Sequence, residues 1–140
     1  MIYALDVDET RPYSLVCDTS EPKTLFILGI IDGVLLSAIE DSQTQFAVSN
    51  GSGSAAPDIS VNLHGKNVQI VKFGLRGWEN LKDKKGNDVQ FKSQTLYVPK
   101  VGTRASVHDD SMKRLSKEVI SELAAEILKA SEFTKAEEKN

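Results

Sequence analysis

"NVQIVKFGLRGWENLKDKKGNDVQF", Asn67 to Phe91, is the stretch on which the fold turns. Val68, Val71 and Leu75 recur at helical spacing, and Ile70 and Phe73 widen the same apolar face. Val and Ile also favour strands, so a strand over Val68–Phe73 is the competing reading. Gly77 disfavours continuation of a helix into Trp78. "KKGN", Lys84–Asn87, is a turn signal, and Val89 and Phe91 alternate after it as in a strand. One segment therefore holds a helix end, an aromatic anchor and a turn, which points to a mixed chain.

Working outward, short strands are expected at Met1–Asp6 and Tyr13–Cys17, separated by Pro12 and followed by Asp18-Thr19-Ser20. Lys23–Leu28 reads as a buried strand. Asp32 is placed to cap a helix over Gly33–Asp41, with Val34, Leu35, Ala38 and Ile39 on one face. Phe46–Ser49 reads as a weak strand. Asn50–Pro57, "NGSGSAAP", reads as a flexible loop: no apolar strand feeds it and no helix start is read after it, as a phosphate cradle would require. Leu96–Val98 and Val101–Val107 read as strands around Pro99 and Gly102.

The C-terminal region carries the plainest helix signal. Asp109, Asp110 or Ser111 can cap a first turn holding Met112 and Leu115, and Ser116 can cap the next segment. Val119, Ile120, Leu123, Ala124, Ile127 and Leu128 then form one apolar stripe, leaving Glu118, Glu122, Glu126 and Lys129 outside it. Leu123 is expected inside and Glu122 in solvent. "TKAE", Thr134–Glu137, has capping-box spacing. The expected architecture is α+β: a small mixed domain over residues 1–131 with short antiparallel strands, an amphipathic C-terminal helix and a flexible loop at 50–57. A charged tail occupies 132–140.

Composition narrows the function. A chain of 140 residues supports one modest core, and a net charge of −3 supplies no broad basic field for nucleic acid. Cys17 is the sole cysteine, which excludes an internal disulfide and a cysteine-cluster zinc site and makes a reducing compartment the default. The apolar run Leu25–Leu36 is interrupted by Gly29, Asp32 and Gly33 and is too short to span a bilayer. It lies too far inside the chain for a signal peptide, so a soluble intracellular protein is expected. His64 and His108 have no ligand-spaced partner. Cys17 has no nearby His and reads as a small buried residue. Lys82, Lys84 and Lys85 are opposed by Glu79, Asp83 and Asp88 and read as a solvated turn.

One catalytic pattern needs weighing. Asp6-Val7-Asp8-Glu9-Thr10 is a D-x-D-x-T sequence that resembles the first motif of haloacid-dehalogenase-type phosphatases. That resemblance implies a nucleophile at Asp6, a general acid/base at Asp8 and Mg²⁺ beside the former. The chemistry also needs a parallel strand to carry the nucleophile, a second strand ending in Ser or Thr, a Lys, and an acidic pair for the metal. His108-Asp109-Asp110 can imitate only the last. No series of β-α-β units joins it to Thr10, and Arg11-Pro12 leads into another strand. The preferred reading is an acidic turn in which Thr10 or Asp8 fixes the local backbone.

A second resemblance covers most of residues 22 to 140. "KTLFILGIIDGVLLSAIEDSQTQF", "VKFGLRGWENLKDKKGNDVQF" and "VISELAAEILKASEFTKAEEKN" together are similar to a group of small tailed-bacteriophage morphogenesis proteins. The block "GLRGWENLKD-x-x-GN-x-V-x-F", Gly74–Phe91, is its most specific part, and some similar proteins are labelled tail assembly chaperones. The resemblance implies non-enzymatic work through protein–protein contacts during virion building, in the virion or in the host cytoplasm. Partners would be phage head or tail structural proteins or further copies of the chain, with no cofactor, nucleic acid or membrane. The candidate contact residues are Phe73, Leu75, Trp78, Leu81, Phe91 and Phe133, although a lone tryptophan such as Trp78 is more often core than an interface anchor. The alternatives are a tail assembly chaperone absent from the mature particle and a small Mg-dependent phosphatase.

Overall fold

The computed structural model describes residues 4–50 and 55–131, and the architecture is α+β. Strand β1 (Arg11–Tyr13) pairs antiparallel with β2 (Leu25–Leu28), which pairs antiparallel with β3 (Leu75–Glu79). Helices α1 (Gly33–Asn50) and α2 (Ala55–Gly74) run between β2 and β3. A second sheet is the hairpin of β4 (Ser93–Val98) and β5 (Gly102–Val107). A single turn, α3 (Asp109–Met112), leads to the closing helix α4 (Lys117–Ser131).

Helix α2 is the hub, packing on α1, on α4 and on β5. Its Ile70, Val71 and Phe73 enter one core with Phe26 and Leu28 from β2, Leu35 and Ile39 from α1, Val107 from β5, and Ile120, Leu123 and Ile127 from α4. Leu123 is 0% exposed, as its place in the stripe requires. Asp32 caps α1 as its sequence position implies: Leu35 N–H donates to Oδ1 at 2.8 Å. Ser116 caps α4, accepting from Val119 N–H at 3.3 Å.

Helix α2 passes into β3 with no intervening loop, and the last helical residue is Gly74. Its carbonyl accepts from Gly29 N–H at 2.7 Å, which ties the helix end to the end of β2. Ile127 of α4 lies directly over it: a Cβ at Gly74 would sit 2.8 Å from Ile127 Cδ1 and Cγ2. A hydrogen at this position is what lets α4 approach. The helix therefore ends at Gly74, not near Gly77, and Leu75, read as part of the helical face, begins the strand. Arg76 is the extra residue where the β2–β3 register slips. Its guanidinium turns back to the Phe73 carbonyl near the end of α2.

Several sequence expectations change. Phe46–Ser49 belongs to α1, not to a strand, and the helix runs on from Asp41 to Asn50. The loop expected at 50–57 is shortened from both ends, because Asn50 closes α1 and Ala55–Pro57 open α2; residues 51–54 lie outside the described residues. Val34 is 62% exposed, since the α1 stripe that faces the core passes through Leu35 and Ile39. The early strand is Arg11–Tyr13 and not Tyr13–Cys17; Cys17 is exposed. Ala4–Asp6 form no strand, and Met1–Tyr3 lie outside the described residues. His108 caps α3, accepting from Asp110 N–H at 3.1 Å, while Ser111 is buried. Val89 and Phe91 follow an isolated bridge between Lys82 and Asp88 in place of a strand. The tail 132–140, with its capping-box pattern, lies outside the described residues.

Gly74→Ala should cost about 1–3 kcal/mol by overpacking against Ile127. Ile127→Ala alone should cost about 2–5 kcal/mol through the cavity it opens. Because the new methyl occupies part of that cavity, the double variant should be more stable than the sum of the two losses predicts. Urea unfolding of the four proteins measures the coupling, and simple additivity would show that the two groups do not meet.

Candidate interaction surface

The sequence block from Gly74 to Phe91 builds inward first. Trp78, 9% exposed, lies edge-on to Phe26 with ring centres 6.3 Å apart and to Phe91 at 5.0 Å. Its indole N–H donates to the Val89 carbonyl at 2.8 Å. The ring thus fills the core while its polar edge fastens the returning limb of the loop. Phe73 and Leu75 are buried in the same cluster, and Leu81 and Phe91 pack half-buried against it. Of the six candidate contact residues, the structure gathers these five within the domain, where their apolar surface is used internally. Phe133 lies outside the described residues.

What the block presents outward is a turn. The Asp83 carboxylate accepts from Lys85 N–H at 2.9 Å and from Asn87 N–H at 3.0 Å, while Asp83 N–H donates to the Asn87 carbonyl at 2.9 Å. Gly86 takes φ +86°, a conformation that glycine adopts without strain. Lys82 pairs with Asp88 across the base of the turn. Lys84 and Lys85 project into solvent, and among the described residues no carboxylate pairs with either. The rigid part is local hydrogen bonding; the charge is left for the surface.

Beside the turn lies an open hollow of about 350 Å³ lined by Asp88, Val89, Gln90, Lys92, Asp110, Ser111 and Arg114. Ser111 Oγ accepts from Lys92 N–H at 2.8 Å, which holds β4's approach against α3. Lys92 and Asp110 approach to 3.8 Å across it. Charges of both signs line it and partly answer one another.

The polar flank of α4 is occupied. Tyr13 donates its hydroxyl to Glu122 Oε2 at 2.5 Å, and Val16 N–H donates to the same oxygen at 2.9 Å. Arg11 donates to the Glu126 backbone carbonyl at 2.8 Å and meets its carboxylate at 3.2 Å. Glu122 and Glu126 are thus the seat of β1, not solvent-facing charges. Burial, then the Glu122 carboxylate beside it, push the Tyr13 phenol well above its ordinary range, because each disfavours the phenolate.

The D-x-D-x-T stretch is an exposed turn. Glu9 N–H donates to the Asp6 carbonyl at 3.0 Å and Asp8 N–H to Asp6 Oδ1 at 3.2 Å, so Asp6, not Asp8 or Thr10, fixes the backbone. Every strand pairing among the described residues is antiparallel, whereas the phosphatase motif sits on a parallel sheet. Among the described residues no group of three His, Cys, Asp or Glu side chains could hold a metal ion, and no helix is long and apolar enough to cross a membrane.

Sequence reasoning missed Tyr97, which is 73% exposed near the end of β4. A signal was present: Leu96 and Val98 alternate around it, so inward neighbours imply an outward Tyr97. Compared with protein-family models, curated proteins and solved structures, the chain shows no match.

The Tyr13–Glu122 contact has a pH signature. The folded state holds the phenolic proton more tightly than the unfolded chain does, so its contribution is whole below the unfolded value of about 10 and falls as pH rises above it. Tyr13→Phe should flatten the loss of stability above about pH 10, and Glu122→Ala should cost about 1–2 kcal/mol at neutral pH. Denaturant midpoints against pH check both; a Glu122→Ala protein as stable as the parent would show that α4 does not depend on this seat.

Proposed function

We propose that the protein is a non-enzymatic structural or assembly factor of a tailed bacteriophage, working through protein–protein contacts and retained in the virion. The similarity at Gly74–Phe91 supplies the biological setting. The observation that carries a binding role is the division of labour inside that block. Trp78 and Phe91 lock it to the core, and the Asp83 carboxylate holds a projecting turn that offers Lys84 and Lys85 to solvent. A turn ordered before it meets a partner loses little entropy on docking, which favours recognition. Exposed lysines on such a turn suit an acidic surface on a head or tail subunit, steering encounter more than supplying affinity.

A phage lacking the gene should make its other proteins normally yet yield few infectious particles, with stalled heads, tails or joining intermediates in electron micrographs. Complementation with Lys84→Glu/Lys85→Glu should fail although the variant unfolds at the parent's midpoint, since both side chains lie on the surface. Mass spectrometry of purified particles should find the protein at a fixed copy number; finding none there while the deletion still blocks assembly would make it a chaperone that leaves. Full, infectious particles in normal numbers from the deletion phage would overturn the assembly role.

A further inference from the structure

The β4–β5 hairpin is an unfinished sheet. A two-stranded ribbon is marginal in water unless packed, and this one packs by the face that carries Leu96 and Val98, with Val101 at the turn and Val107, opposite Ser93 at the end of β5, also in the core. On the other face, beyond the buried Val107, Ser93, Thr95 and Tyr97 from β4 and Thr103 and Ala105 from β5 are all exposed. In a chain with 26% charged residues, this face carries none.

The backbone of β4 is equally open. His108 N–H donates to the Lys92 carbonyl at 2.9 Å, which fixes the phase of the ladder. Gln94, Leu96 and Val98 therefore turn their N–H and C=O groups toward β5, and Ser93, Thr95 and Tyr97 turn theirs outward. Among the described residues nothing pairs with that outer edge. Edge strands are ordinarily guarded by charge, proline or a bulge. The edge strand β1 has Arg11 and Pro12. From Ser93 to Val98, β4 has no such guard.

We infer that β4 is a self-association edge: it pairs antiparallel with β4 of a second copy about a twofold axis at Thr95, giving a continuous sheet in the order β5-β4-β4-β5. The register selects this occupant. With the axis at Thr95, Thr95 faces its own counterpart and Ser93 faces Tyr97 of the other copy, so every outward group is matched and each pair exchanges both N–H···O bonds. An axis at Tyr97 would set Pro99, which has no N–H, opposite Thr95; an axis at Ser93 would carry Thr95 and Tyr97 off the end of the partner strand. The charges agree with the Thr95 register. Lys92 falls opposite Val98 and Lys100 opposite Gln90, so the two flanking lysines meet neutral residues and not their own counterparts. The association is isologous and needs no phage component, so it stands or falls apart from the proposed assembly role.

Sedimentation of the full chain over a wide concentration range should show a monomer–dimer equilibrium. Thr95→Lys and Thr95→Glu each place like charges across the axis and should raise the dissociation constant about tenfold or more. An equimolar mixture of the two should associate again, because only the mixed pair sets opposite charges there. Thr95→Cys on a Cys17→Ser background should cross-link to its own counterpart on mild oxidation, at a Cα separation of about 5.5 Å that disulfides accept. A parent that stays monomeric throughout, charge variants that dimerise as tightly as the parent, or a mixture no tighter than its components would each overturn the edge assignment.

Discussion

The packing of α4 over the end of α2 is the constraint from which most of the structure follows. Gly74 is where a helix stops, a strand starts, a β2 amide is received and the Ile127 side chain is seated. A side chain here would push α4 outward, and α4 supplies Ile120, Leu123, Ala124 and Ile127 to the core. Close approach is also what brings Glu122 and Glu126 within reach of β1. One missing methyl group thus sets how closely α4 packs on the end of α2. Apolar burial supplies the driving force, and the hydrogen bonds at the margin decide alignment.

Much of this was legible because it rests on local chemistry. Asp32 before an apolar run is a cap wherever the helix goes, and "KKGN" is a turn because glycine accepts the backbone angle that its second half needs. The α4 stripe is visible because six apolar residues share one face with polar neighbours between them. What stayed hidden depends on distant partners. Nothing in Phe46–Ser49 or Ala55–Asn67 favours helix strongly by itself; α1 and α2 pack on one another and override weak propensities. The end of α2 falls at Gly74 and not at Gly77 because Gly29 and Ile127, remote in sequence, select it.

The surface was harder to read than the core. Aromatic residues in the most specific block suggested contact residues, yet Trp78 has both an apolar body and a donor that finds the Val89 carbonyl. A tryptophan with a satisfied N–H belongs inside as readily as at an interface. Glu122 and Glu126 fell outside the apolar stripe and so read as solvated. Their partners Tyr13, Val16 and Arg11 come from the other end of the chain, beyond any local pattern. Tyr97 is the reverse case, since strand alternation alone places it outside.

Besides the packing of α2 on β5, a carboxylate ties the hairpin to the start of α1. Asp32 Oδ1 accepts from Leu35 N–H to cap α1, while Oδ2 lies 3.4 Å from Arg104 Nη2 of β5. Arg104 sits opposite Leu96 in the β4–β5 ladder, so this ion pair ties the hairpin's packed face to the start of α1. Both charged groups are partly shielded from water, with side chains 36% and 24% exposed, which strengthens the attraction beyond that of a fully solvated pair. The hairpin is therefore held by apolar packing and one directed ion pair, and apart from Val107 at the end of β5 its front face and outer edge stay exposed. A surface that the fold does not use for its own stability can change its partners without cost to the core, and in this protein that surface is the exposed set Ser93, Thr95, Tyr97, Thr103 and Ala105 on the uncharged side of β4 and β5.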